Sequence, residues 1–156
     1  MEIERKFLVR QLPDELDQFE RAEISQCYLD FGGETSPERR IRSMSTANSV
    51  KYFYTEKGMG DLARSEEEKE IDREKYLSLK NENISKEIKK IRYYLPLTHG
   101  LTAELDVYDG FLKGLITVEV EFSSLADAEG FSAPCWFGEE ITYDKHYRNK
   151  NLAKIQ

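Results

Sequence analysis

The sequence predicts an α+β fold with one large antiparallel sheet, closed into an eight-stranded β-barrel with a few flanking helices. The main observation is that charged and apolar residues alternate in short runs along most of the chain, which is the pattern of β-strands. Short spacings separate most neighbouring runs, as in hairpins. The length of 156 residues and the lack of repeats or long linkers indicate a single domain over residues 1–156.

Eight runs with this alternation are candidate strands. In the first run, Glu2, Glu4 and Lys6 share one face, whereas Ile3 and Phe7 share the other. The other seven runs lie at 26–31, 40–42, 50–57, 64–69, 90–95, 103–108 and 116–122. The run at 64–69 follows a glycine-bearing turn at 57–61 and is polar on both faces, so its register is the least certain.

Helices are predicted between some of these strands. Apolar residues at helical spacing predict a helix over 13–24, with Pro13 in its first turn, and another over 72–80. Ser124 followed by Asp127 forms a capping signature for a short helix that ends near Gly130. The tail at 144–155 fits either a further helix or an irregular cap.

Composition and charge exclude several classes of protein. The chain is 39% hydrophobic and 34% charged, and no stretch approaches the 18 apolar residues of a transmembrane helix. The net charge of −7 argues against nonspecific binding to nucleic acid or to an anionic membrane. Two cysteines exclude a disulfide framework. We therefore expect a cytoplasmic protein that binds neither nucleic acid nor membrane.

The charged faces of the strands carry like charges at positions i and i+2, which is unusual for a sheet face in solvent. Exposed faces normally mix Thr, Ser, Lys and Glu, because adjacent like charges repel each other. The pairs are Glu2/Glu4, Arg40/Arg42, Glu66/Glu68, Lys90/Arg92, Glu104/Asp106 and Glu119/Glu121. Since both signs recur on nearly every strand, we predict that the charged faces point into the barrel and the apolar faces point outward.

A barrel lined in this way predicts a bound complex of metal and polyphosphate. Paired carboxylates suit a divalent cation such as Mg²⁺ or Mn²⁺, and paired Arg and Lys side chains suit a row of phosphates. The net negative charge does not oppose this, because the potential in a cavity depends on its lining. An alternative with the faces reversed is a barrel that has an apolar interior and carries a lipid.

The same residues resemble the CYTH superfamily, the triphosphate tunnel metalloenzymes. The opening Glu2-Ile3-Glu4-Arg5-Lys6 is similar to the ExExK signature of that family. The resemblance continues in order through 26–29, 40–42, 55–57, 64–68, 90–93, 104–108, 114–122, 142–144 and 147–149. It implies an eight-stranded tunnel open at both ends, a divalent metal, and hydrolysis of a triphosphate compound.

The resemblance also implies roles for individual residues. The cations expected to bind the substrate phosphates are Lys6, Arg40, Arg42, Lys57, Lys90 and Arg92. Glu2, Glu4, Glu119 and Glu121 are expected to hold a first metal ion, mostly through water. Glu66, Glu68 and Asp106 are expected to support a second metal ion or to position the attacking water. Lys57 and Tyr28 are further candidates for orienting that water, and Glu104 fits either the lining or a structural ion pair.

The expected reaction is in-line attack of water on the terminal phosphorus of inorganic tripolyphosphate, giving diphosphate and phosphate. Two alternatives use the same site, namely an adenylyl cyclase and a thiamine or nucleoside triphosphatase. A third alternative is a module that binds polyphosphate without hydrolysing it. The expected partner is thus a small-molecule triphosphate. The sequence leaves the oligomeric state open, with a homodimer among the alternatives.

Overall fold

The computed structural model describes residues 2–58 and 63–154, so residues 59–61 of the predicted glycine turn lie outside the described part. In this part the strands are β1 (Glu2–Val9), β2 (Glu20–Phe31), β3 (Glu38–Ser45), β4 (Val50–Lys57), β5 (Ala63–Arg64), β6 (Glu66–Ile71), β7 (Ile88–Pro96), β8 (Thr102–Asp109), β9 (Ile116–Glu121) and β10 (Phe137–Glu140). The α-helices are α1 (Arg73–Lys80), α2 (Leu125–Glu129) and α3 (Asn149–Leu152). Short 3₁₀ turns lie at Leu16–Gln18, Thr98–Gly100, Gly110–Leu112 and Lys145–Tyr147.

The strands form one antiparallel sheet in the order β10-β1-β9-β8-β7-β2-β3-β4-β6, and the two-residue β5 also pairs with β1. The predicted α+β class is confirmed. The closed eight-stranded barrel is not confirmed, because the described ladder has β10 and β6 at its ends and is not closed by hydrogen bonds. The predicted run at 64–69 is interrupted at Ser65. The unpredicted β10 contains Gly138, where a Cβ atom would lie 3.1 Å from the Leu8 carbonyl oxygen.

The predicted helix over 13–24 is wrong. Only Leu16–Gln18 form a 3₁₀ turn, and β2 begins at Glu20, which pairs with Tyr94 of β7. Ala22 and Ile24 are buried while Arg21 and Glu23 are exposed, so the strand period governs this segment. Pairing of β2 with both β3 and β7 outweighs the helical spacing of the apolar residues.

The predicted helices at 72–80 and after Ser124 are confirmed, and both begin at a side-chain cap. Asp72 accepts a 2.7 Å hydrogen bond from the Lys75 backbone N–H, and Ser124 accepts one of 3.1 Å from Asp127. The tail, for which a further helix or an irregular cap was predicted, contains the 3₁₀ turn and the short helix α3. Among the helices of the described residues, none is long and apolar enough to span a membrane.

The apolar strand faces point away from the charged faces and pack beneath the helices, as predicted. One cluster joins Phe7, Leu105, Val118 and Val120 to Ala128 of α2. A second cluster joins residues of β2 and β3 to α1, through Cys27, Ile41, Tyr76 and Leu79. Burial of these large apolar groups provides the main stabilisation of the fold. The inward faces of the strands therefore do not have to form the hydrophobic core.

Arg5, on the outward face of β1, joins three parts of the fold. Its Nε and Nη2 donate to the Glu140 carboxylate at 2.8 and 2.6 Å, and its Nη1 donates to the carbonyl oxygens of Ala128 and Phe131 at 2.8 and 3.2 Å. We expect Arg5→Gln to lower the free energy of unfolding by about 2 kcal/mol, because several charge-assisted hydrogen bonds are lost together. Urea denaturation at neutral pH measures this change.

The control variant is Arg10→Gln, at an exposed position, where we expect a change below about 0.5 kcal/mol. The hydrogen bonds from Arg5 hold the pKa of Glu140 below its ordinary value of 4.5. The ionic part of the stabilisation is therefore present above about pH 4.5 and is lost as the pH falls through the lowered pKa. Equal stability of the two variants at neutral pH would show that Arg5 does not join these elements.

Candidate active site

The inward strand faces surround a cavity of about 250 Å³ with a predominantly charged wall. Its acids are Glu2, Glu4, Glu38, Glu66, Glu68, Glu104, Glu119, Glu121 and Asp144. Its bases are Lys6, Arg40, Arg42, Lys57, Lys90, Arg92, Arg148 and Lys150. Tyr28, Ile141, Thr142, Tyr147 and Asn149 complete the wall. The charged faces thus point inward, as the like-charge pairs predicted, and the alternative of an apolar interior that carries a lipid is not supported.

Every residue predicted for the site lines this cavity except Asp106, which is fully buried behind it. Glu38 was not predicted for the site, although it lies two residues before Arg40 and so shares its strand face. No site role was predicted for the segment 142–150 either, although 142–144 and 147–149 belong to the family resemblance; the segment has no strand alternation to show which side chains reach the cavity. Glu104, for which two roles were open, lines the cavity and also pairs with Arg92 at 3.3 Å.

Most acids and most bases of the cavity wall come from different strands. Carboxylates come mainly from β1, β6 and β9, whereas cations come mainly from β3, β4 and β7. Ion pairs join the two sets: Arg40–Glu66 at 3.9 Å, Arg42–Glu68 at 3.1 Å, Lys57–Glu2 at 3.1 Å and Lys6–Glu119 at 3.7 Å. Each of these cations is therefore paired with an acid and still lines the cavity.

In the acidic part of the wall, two carboxyl groups lie close together in each of two pairs, Glu4 with Glu119 and Glu2 with Glu66. Burial, helped by the negative charge of Glu119, raises the pKa of Glu4 well above its usual range. Burial also opposes ionisation of Glu119, but the charges of Lys6 and Arg92 outweigh it and hold the pKa of Glu119 well below its usual range. Protonation of Glu4 is therefore favoured, with a hydrogen bond between Glu4 and Glu119.

Glu66 has a similar relationship with Glu2. Burial raises the pKa of Glu66 to about 7 against the charge of Lys57, and a hydrogen bond with Glu2 adds to the rise. Lys57 Nζ lies 3.1 Å from both oxygens of Glu2 and 4.0 Å from Glu66. The acids next to Lys57 therefore include one group that can exchange a proton near neutral pH.

The donor set of this acidic region fits a hard divalent cation. Glu2, Glu4 and Glu119 provide carboxylate oxygens, and Glu121 adds another at an exposed position on the rim. Within residues 2–58 and 63–154, no three acid, histidine or cysteine side chains converge into a complete ligand set. The arrangement therefore suits a cation held partly through water, and the positive charge of a bound cation would favour ionisation of Glu4 beside Glu119.

The cationic part of the wall has hydrogen-bonding capacity that the protein does not use. Among the described residues, Arg40 Nε and Arg42 Nε are buried without a hydrogen-bond partner, whereas Lys90 Nζ lies 2.8 Å from Asp106 Oδ2. Burial also lowers the pKa of Arg42 to about 10, with the charges of Arg40 and Arg92 acting in the same direction. Cations placed together in this way are stabilised by a bound anion.

The two candidates for orienting water lie in different surroundings. Tyr28 is buried, and its hydroxyl oxygen accepts a 2.8 Å hydrogen bond from Gln26 Nε2. Burial raises the pKa of Tyr28, so its hydroxyl stays protonated. Lys57 is paired with Glu2. Their part in orienting water stays a prediction.

The C-terminal segment lies across part of the cavity wall. Lys6 Nζ donates to the Tyr147 carbonyl oxygen at 2.8 Å, and the Tyr108 hydroxyl donates to Asn149 Oδ1 at 2.6 Å. Ala153 packs in an inner cluster with Tyr28, Ile88 and Tyr108. These contacts anchor the segment against the inward faces of β1, β2, β7 and β8.

Comparison with known proteins identifies close relatives. The chain is 41% identical over 152 residues to a protein of Nitrosomonas europaea named inorganic triphosphatase, an alignment that covers 97% of this chain and 96% of that protein. An inorganic triphosphatase of Acetivibrio thermocellus is 40% identical over 68 residues, which are 43% of this chain and 41% of that protein. No protein-family model matches the chain.

Solved structures show the same fold. The crystal structure of the inorganic triphosphatase NE1496 superposes with a TM-score of 0.70 at 38% identity, covering 100% of this chain and 96% of that one. A putative adenylyl cyclase from Hippeastrum has a TM-score of 0.61 at 19% identity, with 83% of each chain covered, which is evidence of fold alone.

A sheet that holds carboxylates and cations around a small cavity has the chemistry to bind a phosphate compound together with a divalent cation. With the identity over nearly its full length, the chain belongs to the CYTH superfamily of triphosphate tunnel metalloenzymes, and within it to the triphosphatases.

Proposed function

We propose that this protein hydrolyses inorganic tripolyphosphate to diphosphate and phosphate in the charged cavity, with Mg²⁺ or Mn²⁺ as cofactor. The observation that carries this proposal is a cavity of about 250 Å³ with many charged side chains and few aromatic ones. Sites for drug-sized ligands have volumes of about 300–1,000 Å³ and mainly apolar walls. Among the described residues only Tyr28 and Tyr147 bring aromatic rings to this wall, which favours an inorganic substrate over a nucleotide or thiamine derivative.

We also infer that β5 and β6 act as one wall that completes a tunnel around this cavity. Glu2 of β1 lies opposite Arg64 of β5, and Lys57 of β4 lies opposite Glu66 of β6. Only Ser65 separates β5 from β6. This continuity supports an eight-stranded arrangement with β10 as an addition at its edge.

In the proposed mechanism, the cations bind the phosphate groups and stabilise the diphosphate as it leaves. The side chains concerned are Lys6, Arg40, Arg42, Lys57, Lys90 and Arg92. Their charge favours the bound substrate and also the negative charge that moves onto the leaving group. Because ion pairs already hold several of these side chains in place, little reorganisation is needed when the substrate binds.

The acids have two proposed roles. Glu2, Glu4, Glu119 and Glu121 would hold the divalent cation, which when bound supplies a Lewis acid that polarises phosphate oxygens. Glu66 and Glu68 lie near Arg40 and Arg42, where they can orient the attacking water by accepting its hydrogen bonds. With its pKa near 7, Glu66 can also take up a proton during the reaction.

The experiment that tests the proposal is phosphate release by the purified protein from tripolyphosphate, ATP and thiamine triphosphate, each with Mg²⁺, Mn²⁺ or EDTA. We expect fast release from tripolyphosphate with metal, much slower release from the other two compounds, and none with EDTA. Preference for ATP or thiamine triphosphate would overturn the proposed substrate but not the mechanism. Tight binding of tripolyphosphate without release would identify a binding module.

The activity should fall at alkaline pH because Lys90 loses its charge. Burial lowers the pKa of Lys90 to about 8, against the opposing charge of Asp106. The amine is charged below this pKa and neutral above it, so we expect kcat/KM for tripolyphosphate to fall as the pH rises through about 8. Bound phosphate stabilises the charged amine, so the corresponding fall in kcat should occur at higher pH.

Two variants separate Lys90 from other titrating groups. Lys90→Gln should have a lower kcat/KM at neutral pH and should lack this alkaline decrease. Lys89→Gln, one position away with an exposed side chain, should keep the wild-type profile. A wild-type profile of kcat/KM that stays level from about pH 7 to about pH 9 would contradict the assignment.

A further inference from the structure

Asp106 differs from every other predicted site residue in its contacts. It is fully buried, and its carboxylate faces two cations of β7 rather than the cavity. Oδ1 accepts from Arg92 Nε at 2.8 Å and Oδ2 accepts from Arg92 Nη2 at 2.9 Å, which is a bidentate pair. Oδ2 also lies 2.8 Å from Lys90 Nζ. Arg92 and Asp106 stand directly opposite each other in the ladder of β7 and β8, so the backbone register sets this contact.

These contacts fix the orientation of the Arg92 guanidinium group relative to a ligand in the cavity. Its Nε and one Nη2 hydrogen are taken by Asp106, and Nη1 donates to Glu104 at 3.3 Å. A guanidinium group has five N–H donors in a rigid plane, so fixing one edge leaves the remaining donors in a defined direction. Since Arg92 is part of the cavity wall, those donors are available to a phosphate group.

The same contacts argue against a metal at Asp106. Both of its oxygens are already engaged by cations, and a divalent ion placed there would lie against the charges of Arg92 and Lys90. Removing this buried acid would leave two buried cations without their main counter-charge, which is far costlier than losing an exposed ion pair. The contacts of Asp106 therefore argue against its expected contribution to a second metal site.

We propose that Asp106 is a positioning residue that orients Arg92 and stabilises the charge of Lys90 for binding of the substrate phosphates, and that it does not ligate the metal. This inference rests on the proposed function, because it assumes that a polyphosphate occupies the cavity. Asp106 acts only through the two cations.

The test compares Asp106→Asn with Asp109→Asn, an exposed position at the end of the same strand. For Asp106→Asn we expect KM for tripolyphosphate to rise at least about tenfold at saturating Mg²⁺, since an oriented charge-assisted contact is lost. We expect the Mg²⁺ concentration that gives half-maximal activity, measured at saturating substrate, to change less than about twofold. Asp109→Asn should match the wild type in both quantities.

Calorimetric titration with tripolyphosphate in EDTA supplies a measurement that does not depend on turnover. Asp106→Asn should weaken this metal-free binding at least about tenfold. Unchanged or tighter binding would overturn the proposal, and so would a large rise in the Mg²⁺ requirement with unchanged KM. If the wild type binds tripolyphosphate but does not hydrolyse it, the proposed function fails while this titration still tests Asp106.

Arg92→Lys covers the case in which Asp106→Asn does not fold, as judged from its thermal unfolding. This variant keeps the charge and Asp106 but removes the planar bidentate contact. We expect it to raise KM and to weaken metal-free binding to an extent similar to Asp106→Asn. Wild-type KM and binding in Arg92→Lys would show that orientation of Arg92 by Asp106 is not required.

Discussion

Glu119→Gln is expected to reduce turnover of tripolyphosphate by about a hundredfold to a thousandfold while metal-free binding is retained or becomes tighter. Glu119 is the ionised member of its pair with Glu4 and lies 3.7 Å from Lys6. Loss of its charge removes a carboxylate from the proposed metal site and leaves Lys6 without this counter-charge. Metal-dependent hydrolysis should therefore fall, whereas attraction of a polyanion should not.

Steady-state phosphate release and calorimetric titration in EDTA measure the two quantities for Glu119→Gln. Glu67→Gln is the control, since Glu67 is exposed and lies between Glu66 and Glu68 on the opposite strand face. It should behave as the wild type. Full turnover in Glu119→Gln would show that the assignment of the metal-holding acids is wrong, and loss of both binding and turnover would indicate a structural role for Glu119.

The second large effect is expected for Arg40→Gln, which should lower kcat/KM for tripolyphosphate by about a hundredfold or more. Arg40 is buried in the cationic part of the wall, and its Nε has no hydrogen-bond partner of good geometry among the described residues. A buried cation that faces a polyanion contributes to binding and also stabilises charge on the leaving diphosphate. Both KM and kcat should therefore be affected.

Arg39→Gln provides a matched control in the same strand. Arg39 points to the other face of the sheet, where its Nε donates to the Tyr54 hydroxyl at 2.7 Å. The kcat/KM values of Arg39→Gln and Arg40→Gln, measured under identical conditions, show how the effect depends on which face of the strand carries the arginine. We expect Arg39→Gln to retain the wild-type kcat/KM, and a similar loss in both variants would mean that the charged faces do not form the active site.

Much of this architecture could be predicted from the sequence because strand alternation determines which residues share a face. The like-charge pair Arg40/Arg42 indicated an inward charged face, and both residues line the cavity. The alternation at Ala22 and Ile24 was equally regular, yet the apolar spacing around Leu16 and Phe19 also fitted a helix, and pairing with two neighbouring strands decides the outcome.

Other features depend on contacts that no local pattern contains. Asp106 shares the parity of Glu104, so the pattern alone could not show that one is buried against Arg92 and Lys90 while the other reaches the cavity. The segment 142–150 reaches the wall through backbone and side-chain hydrogen bonds such as Lys6 to Tyr147, which leave no periodic signal. Which individual polar groups are buried could therefore be learned only from the structure.

The measurement that tests the central claim most directly is phosphorus-31 NMR of tripolyphosphate incubated with the protein and Mg²⁺. If the charged cavity catalyses attack on the terminal phosphorus, diphosphate and phosphate appear in equal amounts, and EDTA prevents their formation. If tripolyphosphate remains unchanged in the presence of protein and metal, the protein is not an inorganic triphosphatase and the proposed function is wrong.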